Sequence, residues 1–232
     1  MSKQFAKLEK AVSPKGVAVF PWLQKPDTKW KAEGEYKTGL RLSGDEAEAF
    51  KAAVDARVEA ALKDYQEKAV EEAGVDPKRI AVAKRTASEM KTAFPYKYAL
   101  DESGNETDEI EFSFKTKASY KDRKTGATVN KRVTVVDAKR NPVTEDIFGG
   151  SVLKIAFEYL PYYSPATKTV GVSLRISAVQ VLELVNGSSG VGAAASAFDE
   201  EDGFVSSGKQ KQEEKVGVTA DGFEEDDSEG DF

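Results

Sequence analysis

Between Lys115 and Lys124 the chain reads KTKASYKDRK, so Lys115, Lys117, Lys121, Arg123 and Lys124 surround a single aromatic residue, Tyr120. Mobile cations around a flat ring suit a polyanion whose charges alternate with planar groups. The cations follow phosphates while ring faces stack unpaired bases. A second group, Glu158 to Lys168 (EYLPYYSPATK), sets Tyr159, Tyr162 and Tyr163 beside Lys168, with Lys154 upstream. A third places Trp22 and Trp30 among Lys25, Lys29 and Lys31. A stacked base contributes roughly 1–3 kcal/mol whichever base it is, so such a surface tolerates any sequence. Each phosphate neutralised adds about −0.7 to the salt slope of binding to a single strand. Taken one at a time, these residues have plainer readings: strand lysines are commonly just solvated, and tyrosines fill half-buried loops. Three such groups on one chain favour the nucleic-acid reading.

Other chemistries find little support. The chain has no cysteine and no histidine. That removes disulfides, thiolate or imidazole metal sites and a Ser-His-Asp relay. Asp122, Asp137 and Asp146 could be imagined around a metal, but nothing in their spacing requires one. Gly149-Gly150 lacks the flanking residues of a phosphate loop and reads as a turn, and Ser43 reads as a helix cap. We therefore expect no enzyme activity and no cofactor. Two competing classes remain in view: a virion or assembly interaction protein that binds no DNA and docks through an acidic tail, and a carboxylate-dependent metal nuclease.

The net charge of −6 conceals a segregation. Residues 186–232 hold thirteen acidic residues and three lysines, a net of −10, whereas residues 1–185 carry 31 basic and 27 acidic side chains, a net of +4. The expectation is two parts: a mildly basic folded domain, 1–185, and a Gly/Ser/Ala-rich linker with an acidic tail, 186–232, too poor in apolar residues to bury a core. The last twelve residues, DGFEEDDSEGDF, include Glu224, Glu225, Asp226, Asp227, Glu229, Asp231 and the terminal Phe232. An aromatic flanked by carboxylates fits a pocket rimmed by cations. It also resembles a single strand electrostatically, so it could compete for the chain's own cationic surface. The first residues lack an apolar signal core and no segment approaches a membrane span, which points to a soluble intracellular product without membrane contact.

The elements that must position these groups are mainly β. Residues 1–12 read as an arm, with a helical turn stopped at Ser13-Pro14. Gly16 to Leu23 is β-prone, with Pro21 marking an edge or strand end. Tyr36, Thr38, Leu40 and Leu42 alternate with Lys37, Gly39 and Arg41 as a strand with one buried face. Ser43 to Gly74 is the clearest helix: Ser43 and Glu46 make a capping box, and Phe50, Val54, Val58, Ala61, Leu62, Tyr65 and Ala69 form its apolar stripe. Asp76 to Lys97 is basic and has no clear assignment, and its Phe94-Pro95-Tyr96 end reads as a loop. Ile110, Phe112 and Phe114 alternate as core with Glu111, Ser113 and Lys115. Tyr120 to Lys131 reads as a hairpin around Thr125-Gly126, leading into a strand at Arg132 to Asp137. Val152 to Tyr159 is a strand with Leu153, Ile155, Phe157 and Tyr159 on one side, followed by a loop from Pro161 to Lys168. Val170 to Val185 is a long last strand whose parity shifts between Ile176 and Val179, a sign of a bulge. About six strands with one long inserted helix (about 43–74) fit a small closed or nearly closed β-barrel.

Several stretches in order carry a resemblance: Leu23 to Asp27 (LQKPD), Gly34 to Lys37 (GEYK), Phe112 to Gly126 (FSFKTKASYKDRKTG), Val133 to Asp137, Gly149-Gly150, Tyr159 to Tyr162 (YLPY) and Gly230-Asp231-Phe232. By these the chain resembles the single-stranded DNA-binding proteins of short-tailed, T-seven-like bacteriophages, over most of its length except Asp76 to Asp108. The resemblance implies an OB-fold with an extra helix and sequence-nonspecific binding that protects and anneals single strands in phage DNA replication, recombination and repair. It implies recruitment of the phage DNA polymerase and helicase-primase through the acidic tail and its last Phe, a homodimer formed by tail exchange, and action in the cytoplasm of the infected bacterium. Carried over by position, Lys115, Lys117, Tyr120, Lys154, Tyr159 and Tyr162 would line the DNA groove. Lys209, Lys211 and Lys215 in the first half of this tail depart from the family's pattern.

Overall fold

The computed structural model describes residues 8–122 and 124–185. Along them run β1 (Lys10–Val12), β2 (Gly16–Asp27), β3 (Glu35–Leu42), α1 (Gly44–Glu72), α2 (Pro77–Ser88), β4 (Lys91–Ala93), β5 (Tyr96–Leu100) and β6 (Glu106–Lys117). They continue with β7 (Ser119–Lys121), β8 (Thr128–Asn130), β9 (Thr134–Val136), β10 (Val152–Ser164) and β11 (Thr169–Glu183).

Period-two alternation decides which face of each strand is buried. Tyr36, Thr38, Leu40 and Leu42 of β3, Ile110, Phe112 and Phe114 of β6, and Leu153, Ile155, Phe157 and Tyr159 of β10 all point inward. On β11 the inward set runs Val170, Val172, Leu174, Ile176 and then Val179, Val181. The parity changes at a bulge, where Phe157 pairs with Ile176 but Ala156 pairs with Ala178. That is where the sequence placed it.

The pairings form a cycle. β2 pairs antiparallel with β3, β3 with β6, β6 runs parallel to β11, β11 pairs antiparallel with β10, and β10 returns to β2 at Val152↔Val17. Other strands attach at the margins: β1 on β10, β4 and β9 parallel on β11, and β5 on β6. β7 and β8 make a separate hairpin. α1 buries Ala47, Phe50, Val54, Val58 and Ala61. Its Phe50 ring lies 4.7 Å from Phe112 and 5.8 Å edge-on to Phe157, which ties the helix to the aromatic core. Aromatic pairs of this kind contribute about 0.5–1.5 kcal/mol beyond the area they bury.

Several sequence expectations are corrected. Ser43 precedes α1 in extended conformation but its hydroxyl makes no capping bond. The basic stretch after Gly74 is a second helix, α2, so the inserted helix is not alone. Asp76 caps it by accepting from the Lys78 N–H at 2.8 Å, and Pro77 opens it. Residues 10–12 are a strand rather than a helical turn. β2 continues past Pro21, with pairing breaks between Val19 and Trp22 that absorb the missing N–H. β10 likewise runs on through Pro161 to Ser164 instead of ending in a loop. Beyond the Tyr159 N–H bond to Glu9, no described strand covers β10's other edge, where a proline is tolerated. No helix among the described residues is long and apolar enough to cross a membrane.

Candidate nucleic-acid interface

The outward face of the β6–β11–β10 segment is what the inward alternation leaves over. β6 turns out Ser113, Lys115 and Lys117, β11 turns out Ser173 and Arg175, and β10 turns out Glu158, Leu160 and Tyr162. Register lays one row across five strands: Trp22 pairs with Lys37, Lys37 with Lys115, Lys115 with Arg175, and Arg175 with Glu158. Paired residues share a face, so this row is a transverse strip of three cations with an indole at one end and the Glu158 carboxylate at the other.

Over that strip lies a groove of about 670 Å³, lined by Lys31, Glu35, Lys115, Thr116, Lys117, Tyr120, Lys131, Leu160, Tyr162, Ser173 and Arg175. The β7–β8 hairpin forms one wall. It is turned by Asp122, whose carboxylate accepts from the Lys124 and Thr125 N–H groups at 2.6 and 3.2 Å. It is tied to the sheet by the Lys131 N–H on the Ala118 carbonyl at 2.7 Å and the Ser119 hydroxyl on the Glu33 carbonyl at 3.1 Å. These bonds hold Tyr120 in the open, 44% exposed, with the Lys131 ammonium 5.0 Å from its ring centre. Tyr162 is 39% exposed. Opposite it stands Gly171, where a Cβ would come within 2.7 Å of the Tyr162 hydroxyl; only a glycine leaves room for the ring to lie across the sheet.

Charge within the groove is uneven. Lys31 pairs with Glu35 at 3.1 Å, and Arg175 is ion-paired with Glu158. Lys37, at 2.6 Å, neutralises Asp27 and, with the Lys29 N–H, holds that carboxyl below its ordinary value of 3.8. Lys115, Lys117 and Lys131 make no ion pair among the described residues. Three ammonium groups without an ion pair among the described residues, beside two exposed phenol rings, give the combination that single strands require: charge for phosphates and faces for bases.

The structure sorts the residues picked out in the sequence. Lys115, Lys117, Tyr120 and Tyr162 come together in the groove. Trp22, 45% exposed, stands at the end of the cationic row, and Trp30, 81% exposed with the Lys29 ammonium 5.5 Å from its ring centre, sits next in sequence to the groove residue Lys31. Lys121 and Lys124 are exposed on the hairpin but do not line the groove. Lys25 faces Asp146 at 3.4 Å, outside it. Lys154 pairs with Gln180 near the opposite end of β10 and is also outside. Tyr159 is withdrawn as a stacking ring: it is 6% exposed, edge-on to Phe157 at 5.0 Å, and burial pushes its hydroxyl's pKa up. Tyr163 is half-buried against Tyr65 of α1, ring centres 5.9 Å apart. Arg123 lies outside the described residues, as do Glu224, Glu225, Asp226, Asp227, Glu229, Asp231 and Phe232. Sequence reasoning missed Lys131, Arg175 and Leu160. Strand parity on β11 could have exposed Arg175, but only the parallel β6–β11 pairing brings it beside Lys115.

The family model of the single-stranded DNA-binding protein of bacteriophage T7 matches residues 15–184. The chain belongs to that family. It is 31% identical over 171 residues to the single-stranded DNA-binding protein of Escherichia phage T7, covering 71% of each chain. To the protein of the same name from Enterobacteria phage T3 it is 29% identical over 184 residues, covering 77% of this chain and 74% of the relative. The crystal structure of gp2.5, a single-stranded DNA-binding protein encoded by bacteriophage T7, superposes with a TM-score of 0.61 at 25% identity, covering 87% of this chain and all of that one. The family match spans every strand of the pairing cycle, and so includes the groove.

Proposed function

We propose that this chain binds single-stranded DNA without sequence preference in the groove between the β7–β8 hairpin and the outward face of β6, β11 and β10, and that it serves phage DNA replication, recombination and repair by protecting and annealing single strands. One observation carries the reading: Lys115, Lys117 and Lys131 remain unpaired among the described residues while Tyr120 and Tyr162 stand exposed among them. Phosphates would run along the ammonium groups and bases would stack on Tyr120 and Tyr162, with Trp22 and Trp30 at the flank. The relatives named as single-stranded DNA-binding proteins support the same ligand. No step of bond-making chemistry is assigned to the chain. The five-strand cycle with its parallel β6–β11 pair supports an OB-type barrel within residues 1–185. The segment 186–232, net −10, is read as the docking arm for phage polymerase and helicase-primase, as a competitor for the groove, and as the element exchanged in a homodimer within the infected cell.

The test is titration of the full chain with oligo(dT), followed by tryptophan fluorescence at two salt concentrations. Quenching at low salt that weakens steeply at high salt is expected, with duplex of equal length bound less well. Affinity indifferent to salt, or a preference for duplex, overturns the reading, and no quenching at either salt concentration favours an interaction protein that binds no DNA. Removing Asp221–Phe232 should tighten binding to oligo(dT) and abolish capture of the polymerase. If the truncated chain binds DNA more weakly, the acidic segment does not compete for the groove.

A further inference from the structure

The turn between β4 and β5 leaves the Phe94 ring with 42% of its surface in water. The ring is nevertheless well supported. The backbone on either side of it is fixed: the Ser113 N–H donates to the Pro95 carbonyl at 2.8 Å, and β4 is held in parallel register on β11 through Ala93↔Gly171. Behind it, Tyr96 lies 5.5 Å away, itself 5.5 Å from Phe112 and donating its hydroxyl to Asp55 at 2.8 Å. A file of three rings thus runs from the buried core to the surface and ends in an exposed face.

That face opens onto a second concavity of about 270 Å³, lined by Phe94, Lys97, Ser113, Lys115, Tyr162 and Ser173 among others. Lys115, Tyr162 and Ser173 also line the main groove, so the two adjoin across these residues. Lys97 stands at the outer end, paired with Glu111 at 3.4 Å, and Lys115 supplies the free cation among the described residues. An aromatic face, a cation and the shared Tyr162 repeat the composition of the groove one step further along.

We infer that Phe94 is a further base-stacking platform, which takes the nucleotide that follows the one on Tyr162 and extends the footprint of the bound strand toward the β4–β5 turn. This rests on the proposed groove and makes it longer. A base over Phe94 covers the ring, and its phosphate lies against Lys115. The stack is sequence-tolerant because every base has a π-face.

The experiment measures the affinity of the full chain for oligo(dT) of increasing length, by anisotropy at one low salt concentration, for the native protein, Phe94→Ala and Phe94→Trp. Phe94→Ala should match the native protein on the shortest oligonucleotides that bind and fall behind by between about five- and a hundredfold once the strand reaches the turn. Phe94→Trp should keep the native length dependence, and it should add tryptophan emission that only the longer oligonucleotides quench. Equal affinities at every length, or an unquenched Trp at saturation, overturn the inference while leaving the groove intact. A uniform loss at all lengths with a lowered Tm also overturns it, because it marks Phe94 as packing only. Failure of the native protein to bind any length removes the parent reading and this one together.

Discussion

β6 carries two cationic neighbourhoods that differ in what surrounds them. Near its middle, Glu111 draws in Arg41 at 3.6 Å and Lys97 at 3.4 Å, so positive charge there is answered within the sheet. Two pleats on, Lys115 and Lys117 make no ion pair among the described residues (Glu35, opposite Lys117, is held by Lys31), and they share a groove with Tyr120 and Tyr162. Lysine and arginine are plentiful in both places. What separates them is compensation: a paired cation is already satisfied, whereas an unpaired one beside an exposed ring offers both charge and a stacking face to a ligand. β10 repeats the contrast in aromatic residues. Tyr159 and Tyr162 are three positions apart, one sealed in the core and one open to the groove.

The contrast on β10 gives the largest expected effects. Tyr159→Ala should lower stability by about 3–5 kcal/mol through loss of a buried ring, read by urea unfolding, whereas Tyr162→Ala should leave the unfolding midpoint nearly unchanged. Equal destabilisation by the two would erase the distinction between inner and outer faces. In turn, Tyr162→Ala should weaken oligo(dT) binding by about 1–3 kcal/mol, the value of one stacked base, measured by anisotropy. The cations come next. Lys115→Ala with Lys117→Ala should reduce the magnitude of the log–log salt slope by about 1.4, whereas Lys25→Ala, whose partner is Asp146, should leave the slope where it is. A matching loss from Lys25→Ala would show that compensation does not select the site.

The smallest effect concerns pH and the compensated charges alone. Asp27 is held below its ordinary 3.8 chiefly by Lys37, Asp137 by the Asn141 side chain and N–H, and Glu9 below its ordinary 4.5 by Arg57. A carboxylate with a depressed folded value contributes stability that is complete above its unfolded value and is lost as pH falls through the folded one. With no histidine in the chain, Tm should stay level between about pH 6 and 8 and decline below about pH 4. A Tm that drops already near pH 6 would contradict this assignment.

Much of the scaffold was legible because it follows from local periodicity. The α1 stripe, the inward faces of β3, β6 and β10, the β7–β8 hairpin and the β11 bulge could all be read from residue spacing. α2 escaped because it buries only Ala87, so no apolar stripe announces it, although Asp76-Pro77 is a helix start written in plain view. Pro161 misled because a proline ends a strand only where its N–H would have been needed. Tyr159 was misplaced against the sequence's own pattern: it shares parity with Leu153, Ile155 and Phe157, which already assigned it to the core.

By itself, the sequence determined which residues face inward along each strand, where charge is concentrated, and which kinds of side chain are available to meet a polyanion. These depend on neighbours two to four positions away. Tertiary structure decided which cations remain free and which rings share a groove with them. Lys31, Lys115, Lys131, Tyr162 and Arg175 are scattered over more than a hundred residues and converge only because β6 lies parallel to β11 and β11 antiparallel to β10. Some ion pairing is likewise a long-range outcome: Lys25 finds Asp146, 121 positions away, and Lys115 finds no carboxylate partner among the described residues, though the local sequence of each looks equally basic.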